Sequence, residues 1–265
     1  MIFTWPVYKK YDIDSQWEED DGLQQVEHIQ ADILSGHKEI RPAEHPTLYL
    51  ELSKVATKEE ALDFARRYGL LVDRREERVN DFLNRAYELR ESLELYKALQ
   101  NNDYEGIENN NLGELVKARI FAEEMHPKEM AKEALEEHIS NRLKSAGYRM
   151  YNLKLIPFCN NLLEAIYLQV ADIIDREAGI VRCKECGSLF KPGRAGQQFC
   201  PPKMWESRST CQNRYAVREC RKEKQAKEKV YSLWREGKLL DEIMQATGLS
   251  AEKVQSILGN ICKEV

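Results

Sequence analysis

"RCKECGSLFKPGRAGQQFC", residues 182–200, holds three of the seven cysteines of a 265-residue chain. Cys183 and Cys186 form a C-x-x-C; Cys200 follows after thirteen residues, and Cys211 after ten more. Four thiolates suit a tetrahedral zinc ion, because a C-x-x-C turn brings two sulfurs to one ion and a second pair from a later segment closes the site. Gly187, Gly193 and Gly196 supply the tight turns of such a knuckle. A C-x-x-C also serves as a redox pair, and buried unliganded cysteines occur. Neither reading gives Cys200 and Cys211 a reason to be present, so the spacing favours zinc. Four protein ligands leave no open position for substrate, and the single ion expected here is structural.

The charge around this stretch is uneven. Residues 181–235 carry fourteen Lys and Arg against five Glu, in a chain whose net charge is −5. A basic segment on an acidic body points to an anionic partner; the plain alternative is a solvated helix whose charges balance elsewhere. An odd cysteine count, with no apolar leader in "MIFTWPVYKKYDID", argues against a disulfide framework and for a cytoplasmic protein. The longest apolar run, residues 161–174, is broken by Glu164, Gln169 and Asp172 and reads as a buried helix, which excludes a membrane span.

Upstream, helical periodicity dominates after an irregular first sixty residues, in which "WEEDDG" is turn-like and Pro42 and Pro46 oppose helix. Thr57 with Glu60 is a capping box, and the helix it opens stops at Gly69. From residue 75 to 100, Val79, Phe82, Leu83, Ala86, Leu89, Leu93, Tyr96 and Leu99 share one stripe of a long helix. Two more helices are predicted over 129–144 and 160–176. Between them Pro157 blocks continuation of the helix and a short strand can form. His28, His37, His45, His126 and His138 are scattered, and there is no glycine-rich phosphate loop, G-x-S-x-G or H-E-x-x-H. Residues 1–180 therefore read as one mainly helical domain with no catalytic spacing, and the protein is not expected to be an enzyme. A small-molecule effector of this domain is left open.

Beyond residue 225, three short helices are predicted: one around Val230, Leu233 and Trp234, a second from 240 to 247, and a third from 250 to 258. "TGLS" between the last two is a glycine turn followed by a serine N-cap, the spacing of a helix-turn-helix. Ile243, Leu249, Val254 and Leu258 would form its core, leaving Ala251, Glu252, Lys253, Gln255 and Ser256 outward on a recognition helix.

The cysteine segment, followed by "CQNRYAVRECRKEK", resembles the CGNR-type zinc finger. Cys183, Cys186, Cys200 and Cys211 fall on its ligand positions, Phe190 on its aromatic, and Asn213 and Arg214 on its signature pair. Gln212 stands where that signature has glycine, and the Cys200 to Cys211 interval is longer than expected. The wider layout is similar to chains in which a helical N-terminal ABATE domain precedes the finger. The resemblance implies a bacterial transcription regulator.

These readings combine into a mainly α fold: a helical domain over 1–180, a zinc knuckle with basic helix over 181–224, and a helix-turn-helix module over 225–265. The expected function is DNA binding. Arg214, Arg218, Arg221, Lys222 and Lys224 would contact phosphates, and Ser250, Lys253, Gln255 and Ser256 of the last helix would face the bases. A homodimer would follow from palindromic sites. The other class that the same residues allow is a protein- or RNA-interaction module with a structural zinc.

Overall fold

In the computed structural model, which describes residues 3–19, 23–112, 126–151, 154–202 and 206–259, the chain begins with strands where the sequence reads as irregular. β1 (Trp5–Tyr8) pairs antiparallel with β4 (His37–Ile40). β2 (Tyr11–Glu19) and β3 (Leu23–Ala31) form a nine-residue antiparallel ladder, and β5 (Glu76–Arg78) adds to the free edge of β3 through His28, Ile29 and Gln30. Tyr11 and Ile29 are fully buried, while Asp12, Asp14 and the outer half of the hairpin face solvent. Part of the acidic "WEEDDG" turn lies outside the described residues.

Helices follow: α1 (Leu48–Leu52), α2 (Lys58–Tyr68), α3 (Val79–Asn101), α4 (Tyr104–Glu108), α5 (Pro127–Arg142) and α6 (Leu162–Asp175). α2 starts at the Thr57/Glu60 capping box and stops at Gly69, as its sequence predicts. α3 begins four residues later than its periodicity suggests, because residues 76–78 are committed to β5. There Glu77 is buried, accepts from the Leu71 N–H at 2.7 Å and pairs with Arg85. Its stripe from Val79 to Tyr96 is buried, and Leu83 and Leu99 are partly so. α6 is buried at Leu162, Ala165, Ile166, Tyr167 and Val170, and its N-cap Asn161 accepts from the Glu164 N–H at 2.8 Å. A two-stranded hairpin, β6 (Gly147–Tyr151) with β7 (Lys154–Phe158), occupies the stretch where one short strand was anticipated. β8 (Val181–Arg182) pairs with β9 (Leu189–Phe190).

The chain separates into two compact units, Met1–Val181 with Ser188–Pro192, and Arg182–Gly187 with Gly193–Val265. Unit 2 is built on α7 (Thr210–Arg235), α8 (Leu240–Thr247) and α9 (Ala251–Gly259). Val230, Ile243, Val254 and Ile257 form its apolar cluster, with Leu249 and Leu258 only partly buried.

Four antiparallel or two-stranded sheets among the described residues overturn the mainly α expectation: the first unit is a mixture of strands and helices. The mainly helical reading, with its irregular first sixty residues, missed these strands because charged and amide residues fill the solvent face of β2 and β3 and mask their alternation. The C-terminal helix-turn-helix module is corrected as well. Its first helix is the end of α7, which runs unbroken for 26 residues, because nothing between Cys211 and Gly237 stops a helix. No described helix is long and apolar enough to cross a membrane.

Gly69 ends α2 with φ +90°, and a Cβ there would lie 2.7 Å from the Pro6 carbonyl oxygen and 2.8 Å from the Trp5 ring. Trp5 is fixed by its own indole N–H donating to Leu70 O at 2.7 Å. Gly69→Ala therefore combines left-handed strain with overpacking against backbone and is expected to cost about 2–4 kcal/mol. Urea denaturation of the full chain, compared with an exposed control such as Ala43→Gly, measures it.

Candidate metal centre and basic helix

The knuckle starts where β8 ends. Cys183 closes a turn in which the Gly187 N–H donates to Cys183 O at 2.9 Å, with Gly187 at φ +72°, a conformation that a side chain would oppose. Arg182 Nη1 donates to Gly187 O at 3.0 Å and holds the turn from outside. The Lys184 N–H donates to Gln198 O at 3.0 Å, which ties the first cysteine pair to the segment carrying Cys200. That segment is braced by Gln197, which accepts from the Gly193 N–H at 2.9 Å and donates to Phe199 O at 3.0 Å.

Cys211 arrives differently, on the first turn of α7. The N-cap Ser209 is buried, and its Oγ accepts from the Gln212 N–H at 3.1 Å. The Phe199 and Tyr215 rings meet at 5.1 Å beside Cys200 and Cys211.

The outcome is that the ligand atoms of Cys183, Cys186, Cys200 and Cys211 all lie within 4.8 Å of one another, with Cys186 and Cys200 Sγ 3.6 Å apart. Ligands at about 2.3 Å from a tetrahedral ion stand about 3.8 Å from each other, so the four sulfurs are close enough together for one ion to draw them into a tetrahedral thiolate site. The thiols resist ionisation on their own: burial, then the neighbouring sulfurs, push Cys200 up and Cys211 up to about 11. A cation among them reverses that balance. The helix N-terminus at Cys211 favours the anionic form in the same sense. These residues form a candidate metal-binding site. Cys159 and Cys220 are outside it: Cys159 is buried in unit 1 and Cys220 is exposed further along α7. Cys262 lies outside the described residues.

Beyond Cys211, α7 presents an exposed basic face. A groove of about 970 Å³ in unit 2 is lined by Arg214, Arg218, Arg221 and Lys222, four of the five residues assigned to phosphates from sequence. Lys224 is exposed outside it and faces Glu228 at 3.9 Å. Arg218 pairs with Glu185 at 2.9 Å and its guanidinium lies 5.3 Å from the Tyr215 ring centre, so it joins the helix to the knuckle. Sequence reasoning missed Arg208, Thr210, Val217 and Gln225, which share the groove. The helical repeat, extended back to residue 210, would have found the last three. Ser250, Lys253, Gln255 and Ser256 are exposed on or just before α9 and do not line this groove. No protein-family model, curated protein or solved structure matches the chain.

Replacing Cys183 or Cys200 by Ser is expected to abolish retention of one metal ion per chain and to expose residues 182–224 to limited proteolysis. A structural ion contributes on the order of 10 kcal/mol of folding free energy, and the knuckle has little apolar burial to offset its loss. Cys220→Ser keeps the metal. Elemental analysis and proteolysis of the purified full chain check both statements.

Proposed function

We propose that the protein binds duplex DNA through unit 2, with one structural zinc ion held by Cys183, Cys186, Cys200 and Cys211, and acts as a transcription regulator. The observation that carries the reading is the junction at Cys211: a four-thiolate cluster is built into the first turn of a 26-residue helix whose exposed face is cationic. Zinc suits a closed thiolate site with no redox or open-coordination role. The ion would fix the start of α7 and so the direction of its basic face. Resemblance to the CGNR-type finger, in which a basic helix follows the last ligand, supports the same reading.

Arg214, Arg221 and Lys222 are exposed on α7, and neither Arg214 nor Arg221 has a carboxylate partner within 4 Å among the described residues. Such side chains gain most from a polyanion, because displaced counterions add entropy to the contact. Lys224 extends the cationic face, and Ser250, Lys253, Gln255 and Ser256 offer a second contact face on α9. In this reading the role of unit 1 in regulation would be to carry a signal.

The zinc-loaded chain is expected to bind a mixed-sequence 20-base-pair duplex at low salt. Replacing Arg214 and Lys222 together by Gln should weaken binding to every duplex and flatten the slope of log K against log salt by about 2, from two lost phosphate contacts. Titration by fluorescence anisotropy at several salt concentrations measures this. Absence of binding at low salt, or an unchanged slope, would favour a protein- or RNA-interaction module instead.

A further inference from the structure

α7 carries two neighbouring ridges of residues four apart, the rows that stand out on a helix surface. One ridge is Thr210, Arg214, Arg218 and Lys222. The other is Asn213, Val217, Arg221 and Gln225. Both line the same groove. Their chemistry differs. The first ridge is a hydroxyl and three cations, which is what a phosphate strand needs. The second holds two carboxamides, a guanidinium and an apolar side chain, Val217, that is 50% exposed.

A surface that only gripped phosphates would use Arg221 of the second ridge but not Asn213, Val217 or Gln225. Base edges use all four. A carboxamide pairs in two places with adenine, a guanidinium with guanine, and an aliphatic group covers the thymine methyl. The side chains of Asn213 and Gln225 make no hydrogen bond within the described residues, so their donors and acceptors are available. From Asn213 to Gln225 the helix advances about 18 Å at 1.5 Å per residue, which matches about five base-pair steps of duplex DNA. A single α-helix fits the major groove, and a continuous basic helix lying across it is an established mode of docking. The carboxylates Glu185 and Glu206 stand near the first turn, and Glu185 is paired with Arg218, so a phosphate strand would follow the ridge toward Lys222.

We propose that α7 is itself the base-reading helix, with Asn213, Val217, Arg221 and Gln225 toward base edges in the major groove and Arg214, Arg218 and Lys222 on the adjoining phosphates. The proposal rests on the DNA-binding reading above and makes it specific: sequence preference resides on α7, and α9 is secondary. It also assigns Arg221 to bases.

The test uses the full, metal-loaded chain and a randomised duplex pool, from which the preferred sequence is selected, then compared with its scrambled counterpart. Asn213→Ala combined with Gln225→Ala is expected to lower affinity for the preferred duplex about tenfold to a hundredfold while leaving the scrambled duplex within about twofold. Val217→Ala should weaken selection at a thymine position. Because Asn213 is close to Cys211, Gln225→Ala is also tested alone. It lies more than three turns away, and retained metal content shows that the knuckle is intact. Lys253→Ala with Gln255→Ala on α9, a secondary contact face, should weaken both duplexes alike without changing which sequence is selected. The proposal is overturned if the α7 variants select as the original chain does, if they lose both duplexes equally, or if the α9 pair alone erases the preference. Stronger binding to double-stranded RNA overturns it too, since the A-form major groove does not admit side chains. If the original chain binds no duplex at low salt, the DNA-binding reading itself falls, and this proposal with it.

Discussion

Four sulfur atoms gathered within 4.8 Å are the constraint on which unit 2 depends. Thiols have weak hydrogen bonds and no strong mutual attraction, and as thiolates they repel. A positive ion at their centre turns that repulsion into cohesion. The backbone is already bent toward this end: the Cys183 turn closes on Gly187, the Lys184 N–H reaches Gln198, and Ser209 caps the helix that delivers Cys211. Leu189 and Phe190, between the cysteine pairs, are buried but belong to unit 1; within unit 2 the knuckle buries little besides Cys183 and Ser209, its chief apolar contact being the tilted Phe199 and Tyr215 pair. A segment of this size lacks the core to hold such turns without a cross-link.

The consequence is carried along α7. Its only buried residue is Val230, in the cluster with Ile243, Val254 and Ile257. The helix is thus anchored at its two ends, by thiolates at Cys211 and by apolar packing about 28 Å further on at 1.5 Å per residue. The turns between have no buried face to maintain. They remain helical through good intrinsic formers, including Arg, Lys, Glu, Gln and Ala, and through pairs such as Lys222 with Glu219 at 3.0 Å and Lys227 with Glu223 at 3.1 Å. Such pairs add only a few tenths of a kcal/mol each, so the anchors matter more than the pairs.

Signals confined to a few residues were legible. The Thr57/Glu60 box, the Gly69 stop, the α3 stripe and the cysteine spacing each depend on near neighbours, and each corresponds to the observed backbone. Long-range pairing was not legible. β1 meets β4 across some thirty residues and β5 meets β3 across nearly fifty, and the alternation that should have announced β2 is interrupted by Ser15 and masked by acids. Residues 76–78 read as helix because their neighbours do; the competing ladder to β3 and the burial of Glu77 decide otherwise. The C-terminal core was read nearly in phase, but Ile257 takes the buried position given to Leu258, and Val230 enters from α7.

The groove required one further piece of information, the continuity of α7. Divided at residue 225, the basic run is a list of cations with Gln225 at its edge. As one helix, it places Gln225 three turns beyond Asn213 on the same ridge and sets that ridge beside Arg214, Arg218 and Lys222. Arg218 joins the cysteine cluster to the helix, since its guanidinium meets Glu185 between the first two cysteines and lies against Tyr215. Loss of the ion would release Glu185 and Cys211 together, and with them the partner and the first turn that orient Arg218. A metal bound there would need no contact with a ligand to direct the basic face, because it would hold the end from which that face is directed.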